Sequence, residues 1–138
     1  MMASQNQWAY DLETLIYSIV KSRTESKLKE KYPKTKFTQD EEETTAPTFP
    51  TILIQSLEPI EKNKDLETEK INTILFTTQV TVTTNTSRRD AKYIADVLTE
   101  EYKKMLFDIA TMPFVRKNGG VYTAIFRARR SFDWNDVL

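Results

Sequence analysis

Charge in this chain is clustered rather than scattered. The clusters are the acidic run Asp40, Glu41, Glu42 and Glu43, the pair Arg88 and Arg89, and the basic set Arg116, Lys117, Arg127, Arg129 and Arg130. Carboxylates in a row could bind a divalent cation through their oxygens. The acidic run lacks the spaced ligands and turn glycine of a Ca²⁺ loop, so it reads as a solvated connection whose functional use is an electronegative contact patch. Arg88 and Arg89 stand where a helix opens, and cations there oppose its dipole by about 0.3–1 kcal/mol each. Two readings stand: exposed arginines beside Asp90, or a pair matched by an anion from a neighbouring subunit or a phosphate. The C-terminal basic set fits a nucleic-acid-binding β-surface, or a face that is simply solvated or that pairs across a subunit boundary. The absence of an aromatic–basic RNA-binding signature on that strand favours the second. Trp134 lies in the otherwise polar tail Ser131-Phe132-Asp133-Trp134-Asn135-Asp136. It is either an interface anchor or an aromatic packed back on its own domain.

Much catalytic chemistry lacks its usual parts. The chain has no Cys, which removes disulfides and thiolate metal sites, and no His, the usual proton shuttle at neutral pH and the commonest metal ligand. Its two glycines are adjacent, so no Gly-rich phosphate loop is possible. A Ser–Lys or carboxylate-pair hydrolase stays open in principle, but no motif calls for one. The expectation is a protein that is not an enzyme and holds no cofactor or metal. Lys and Arg total 20, as do Asp and Glu, giving zero net charge. That balance supplies no long-range pull towards nucleic acid or anionic membrane and no electrostatic barrier to self-association. Residues 1–10 are polar and no apolar run nears the ~20 residues of a membrane span. The expected site of synthesis and use is therefore inside a cell.

These residues need elements to position them. Steps of three and four through Trp8, Leu12, Leu15, Ile16, Ile19 and Leu28 predict a first helix from Ser4 to about Glu30. Its back half, 21–31, is so polar that it is expected to project or fray, and Tyr32-Pro33 ends it. A short strand is expected at 35–38. A better one, 51–57, is apolar on both faces and so expected to be covered from both sides. Charged loops are placed at about 39–48 and 58–71, the second carrying Glu58, Glu61, Lys62, Lys64 and Asp65. Residues 72–84 alternate as a strand, with Ile74, Phe76, Thr78, Val80 and Val82 on one face. Ser87 caps a second helix, with Asp90 in a variant capping box. The helix stripe is Ala91, Ile94, Ala95, Leu98, Tyr102, Met105 and Leu106. A loop through Pro113 follows, then a hairpin in which Phe114 and Val115 pair back across Asn118-Gly119-Gly120. The last strand, 121–132, turns Tyr122, Ala124, Phe126, Ala128 and Phe132 inward and Thr123, Ile125, Arg127, Arg129 and Ser131 outward. The expected fold is a single α+β domain over 1–138: a mixed, mainly antiparallel sheet of four or five strands with two helices on one face.

Several of these segments together resemble the tail-terminator (tail-completion) proteins of long-tailed bacteriophages and related tail-like particles. They are the strand 74–82, the helix start Ala91-Lys92-Tyr93-Ile94-Ala95-Asp96-Val97-Leu98, the end Met105-Leu106-Phe107, the closing strand 121–129 and the upstream 47–54. The likeness covers most of the chain in element order and rests on patterns of apolar and small residues. It implies a small α+β subunit forming a ring, usually a hexamer, that stops tail-tube growth and meets the head connector. The implied partners are copies of itself, the tail tube protein and a head-closure or connector protein. DNA would pass through the ring without sequence-specific binding, and no membrane is involved. The implied place is the neck of the virion, after synthesis in the host bacterial cytoplasm. Another neck component, such as a head-closure protein, is the alternative within the class. The charged loops Asp40–Glu43 and 58–70, with Arg88, Arg89, Arg127, Arg129 and Trp134, are the expected contact residues.

Overall fold

A computed structural model describes residues 7–39, 49–62 and 73–133; for 7–10, 58–62 and 73 it describes the backbone only. The elements run α1 (Gln7–Leu28), β1 (Lys36–Thr38), β2 (Thr51–Lys62), β3 (Thr73–Thr84), α2 (Arg88–Lys104), β4 (Asp108–Asn118) and β5 (Val121–Asp133). The strands form one sheet in the order β1-β2-β3-β5-β4. Only the β1–β2 pairing is parallel. The fold is α+β, a mainly antiparallel sheet with two helices packed on one face.

Alternation makes this arrangement. On β3 the side chains of Ile74, Phe76, Thr78, Val80 and Val82 are buried, and on β5 so are Ala124, Phe126, Ala128 and Phe132. Pairing Val80 with Phe126 and Val82 with Ala124 puts both sets on one side. α2 covers that side with Ala91, Ile94, Ala95, Leu98 and Tyr102. Edge-to-face rings knit the layers: Tyr102 lies 5.1 Å from Phe107 and 6.0 Å from Phe126. Such pairs contribute about 0.5–1.5 kcal/mol each beyond area burial.

Both ends of α2 are fixed by local chemistry. The Ser87 hydroxyl accepts from the Asp90 N–H at 3.1 Å, as expected of an N-cap. The Asp90 carboxylate accepts from the Thr86 hydroxyl at 2.5 Å and the Tyr32 hydroxyl at 2.7 Å, which ties the chain beyond α1 to the start of α2. Those hydrogen bonds, Thr86 first and then Tyr32, hold the Asp90 carboxyl below its ordinary value. Burial, then the bond to Asp90, pushes Tyr32 up to about 12. At the other end Leu106 sits at φ 65. The Phe107 N–H returns to the Tyr102 carbonyl and the Leu106 N–H to that of Lys103. This is a Schellman ending, with the Tyr102–Phe107 contact as its apolar clasp. It corrects the expected stripe: Leu106 lies outside the core, 73% exposed, because the left-handed residue turns the chain away.

The polar back half of α1 does not fray through Leu28. Leu12, Ile16, Val20, Thr24 and Leu28 are all buried, a row in steps of four, the ridge that packs against a neighbouring helix. Leu15, expected inside, is 49% exposed. Lys27 reaches Glu101 of α2, whose second cation is Lys104 at 3.4 Å. Burial raises the Glu101 carboxyl, but Lys27 and then Lys104 outweigh it and the net shift is downward. Periodicity alone missed this anchor because its partner is 74 positions away in sequence.

Three further expectations change. β2 continues to Lys62, so 58–62 is strand rather than loop. Its outward Leu53, Gln55 and Leu57 are only half-buried, so among the described residues the full cover lies on the side of Ile52 and Ile54. The expected loop through Pro113 is β4, an edge strand with register shifts between Ile109 and Thr111 and between Thr111 and Phe114. Pro113 is tolerated there because an edge strand at a bulge can do without its N–H.

Replacing both lysines (Lys27→Met with Lys104→Met) strands a buried carboxylate. The expected loss at pH 7 is about 2–4 kcal/mol, the range for breaking a buried pair discounted for the lysines' solvent exposure. In that variant burial alone acts on Glu101, placing its folded pKa above the ordinary 4.5, so stability rises as the pH falls from 7 through that value. In the native chain Glu101 and Asp90 act with the opposite sign. They are held below 4.5 and 3.8, so their contribution is complete above those values and lost as the pH falls through the depressed ones. Urea midpoints between pH 7 and 4 check this; a variant with native stability and the native pH trend contradicts it.

Candidate interaction face of the sheet

The helices lie on one side, so the register dictates what the other side shows. One row across four strands is Leu53, Thr81, Ile125 and Phe114; the next is Gln55, Gln79, Arg127 and Thr111. Thr51, Thr83, Thr123 and Arg116 form the row beyond. Ile125 is 38% and Phe114 63% exposed. These two, with Gln79, Thr111, Arg116, Thr123 and Arg127, line a shallow depression on this face. The surface is a threonine–glutamine field with an apolar centre and arginines at its β5–β4 side.

The arginines are held in place. The Arg127 Nε donates to the Gln79 Oε1 at 2.9 Å, bracing the guanidinium across two strands. The Arg116 guanidinium carbon stands 5.5 Å from the Phe114 ring centre, a cation–π contact. Arg129 lies in register with Asp108 of β4. Among the described residues no salt bridge takes up Arg116, Arg127 or Arg129.

The other expected contact residues scatter. The Arg88 Nη1 donates to the Val115 carbonyl at 2.8 Å, fastening the start of α2 to β4. Arg89 beside it is exposed. Arg130, grouped with the basic set by sequence, turns to the helix side, donating to the Met105 carbonyl at 2.7 Å and covering the Phe132 ring at 4.4 Å. Glu58, Glu61 and Lys62 belong to the end of β2, where Glu61 pairs with Ile74 and Lys62 with Thr73. Asp40, Glu41, Glu42, Glu43, Lys64, Asp65 and Trp134 lie outside the described residues. The structure thus brings Arg127 and Arg129 together with Arg116 and separates them from Arg88 and Arg89. Sequence reasoning missed Phe114 as a surface feature, since a residue after a proline gave no strand phase to read.

Among the described residues no group of three or more Asp or Glu is placed to hold a metal ion, and no helix is long and apolar enough to cross a membrane. Compared with protein-family models and with curated proteins, the chain matches none.

An acidic side chain should be tolerated on the open face and not behind it. Ile125→Glu is expected to shift stability by less than about 1 kcal/mol, as surface changes do. Ala124→Glu, one residue away and fully buried, should unfold the domain through an unpaired buried charge. Thermal melts of the two variants check this; equal losses contradict the assignment of faces.

Proposed function

We propose that this chain is a structural subunit of a phage-type tail: a terminator that forms a ring, caps the tail tube and meets the head connector. The observation that carries the reading is the sheet face opposite the described helices, with Ile125 and Phe114 exposed at its centre and Arg116 and Arg127 beside them. A sheet with one face on its core and the other bearing an exposed aromatic and arginines has the composition of a docking surface. The resemblance in element order adds the tail-terminator assignment. In this reading the subunit works by shape. Each copy meets the next through unlike patches, a heterologous contact that closes into a ring by rotation. The tail tube and the head connector bind its two ends, and DNA passes through the middle.

Electron microscopy of particles made with and without the protein tests this. Density at the head-proximal end of the tube, and over-long or unjoined tubes in its absence, are the expected results. Density against the portal alone would make it a head-closure protein instead. Tubes of normal length that join heads without it overturn the proposal.

A second reading has one observation in its favour: Arg116, Arg127 and Arg129 share the open face. A nucleic-acid-binding module built on them would show affinity that falls steeply with salt. Failure to retain DNA or RNA at low salt removes it.

A further inference from the structure

We propose that the open sheet face of one subunit receives the acidic run Asp40–Glu43 of a second copy. This rests on the self-assembling part of the function proposed above.

Charge points to the occupant. The described outward positions of β2 and β3 are neutral, Leu53, Gln55 and Leu57 on one and Leu75, Thr77, Gln79, Thr81 and Thr83 on the other. The outward charge lies on β5 and β4 and, at the far edge, on β1, where Lys36 stands in the row of Thr51, Thr83, Thr123 and Arg116. Arg129 has Asp108 in register, whereas the outward cross-strand neighbours of Arg127 are Gln79 and Thr111 and that of Arg116 is Thr123. Asp108 and Asp133 are the outward carboxylates of β4 and β5, and the densest acidic run of the sequence is Asp40-Glu41-Glu42-Glu43. Guanidinium groups favour carboxylates because their planar forks match in two parallel hydrogen bonds. Ile125 and Phe114 between the arginines give such a segment an apolar floor.

Reach limits how many of these carboxylates one chain can bring to its own arginines. The run follows β1, at the sheet edge far from β4. Thr38, Leu53, Thr81 and Ile125 stand in one row, so β1 and β5 are three strand spacings apart, ~14 Å at ~4.8 Å each. The backbone advances at most ~3.6 Å per residue. Counted from Thr38, Asp40 stays within ~7 Å and Glu41 within ~11 Å of the edge. Only Glu42 and Glu43 can bring their backbone over β5 of their own chain, and Arg116 on β4 lies a further spacing away. A second copy can set all four carboxylates against Arg116 and Arg127. Acidic run and basic face are different patches of one subunit, so each copy offers one and receives the other. That head-to-tail contact is the kind that closes a ring.

Charge reversal in full-length protein tests the inference. The run-reversed variant carries Asp40→Lys, Glu41→Lys, Glu42→Lys and Glu43→Lys; the face-reversed variant carries Arg116→Glu and Arg127→Glu. All six positions are outside the buried core of the described residues or beyond them, and far-ultraviolet circular dichroism reports whether each variant folds. Association is followed by sedimentation at low salt, because such contacts are screened beyond ~10 Å at 0.1 M. The native chain should self-associate. Each variant alone should associate roughly tenfold or more weakly, since like charges now meet. An equimolar mixture should recover native association, because run-reversed and face-reversed copies alternate with every contact complementary. Variants that associate alone like the native chain overturn the inference. So does a mixture that stays monomeric; association of a chain bearing both reversals would then place the contact within one chain. A native chain monomeric at tens of micromolar also overturns it, whereas the tail-terminator role is judged separately by density at the tube end.

Discussion

Burial of the inward stripes of β3 and β5 against α2 is the interaction on which the rest of the structure depends. Val80, Val82, Ala124, Phe126 and Ala128 are inaccessible to solvent on the sheet, as are Ala91, Ile94, Ala95, Leu98 and Tyr102 on the helix. Burying apolar area at roughly 25 cal/mol per Å² makes this layer the main source of stability. It also fixes register, since a slip of one residue would turn every buried side chain of a strand outward. The orientation of Thr81, Ile125, Arg127 and Thr123 is the other half of the same pairing. Both described helices lie on the other side, and on this one Ile125 and Arg127 are exposed. The candidate face follows from the way the core is satisfied.

The second layer is held by fewer and more polar contacts. α1 meets α2 through its row of buried residues and the Lys27–Glu101–Lys104 cluster. The Tyr32–Asp90 hydrogen bond holds the chain after α1 to the cap of α2. β4 is joined to α2 by Arg88 as well as to β5 by its ladder. Arginines 88 and 130 therefore serve the fold by occupying backbone carbonyls, while Arg116, Arg127 and Arg129 face away from it. Residue type did not separate these two groups; strand phase did.

Strand alternation was legible wherever β-branched residues ran without interruption, as on 74–82 and 121–132, and it gave the inward and outward faces correctly. The cap at Ser87 and the turn at Gly119-Gly120 were legible because each solves a local backbone problem, an orphan N–H in one case and positive φ in the other. What stayed hidden depended on distant partners. Thr24 looks solvated until α1 is packed, and Lys27 until Glu101 is beside it. Pro113 looks like a loop until β4 is seen at the sheet edge, where a missing N–H matters little. Leu106 continues a helical stripe in sequence, yet the Schellman ending places it at φ 65 and in solvent. The apolar run 52–54 suggested two-sided cover because sequence shows that a residue is apolar, not whether anything packs on it. Of the candidate face, Arg127, Arg129 and Ile125 were placed on the outward side from sequence; Phe114 and the bracing by Gln79 needed the paired strands.

Docking through the sheet face opposite the helices would shield its residues from solvent on assembly. Carbene or hydroxyl-radical labelling can be read residue by residue in the free and assembled protein. The account predicts that Phe114, Ile125 and Arg127 lose most of their labelling on assembly, while Lys92 and Asp96, exposed on the helix side, keep theirs. Unchanged labelling at Phe114 and Ile125 in an assembled particle, with protection confined to the helices, would contradict it.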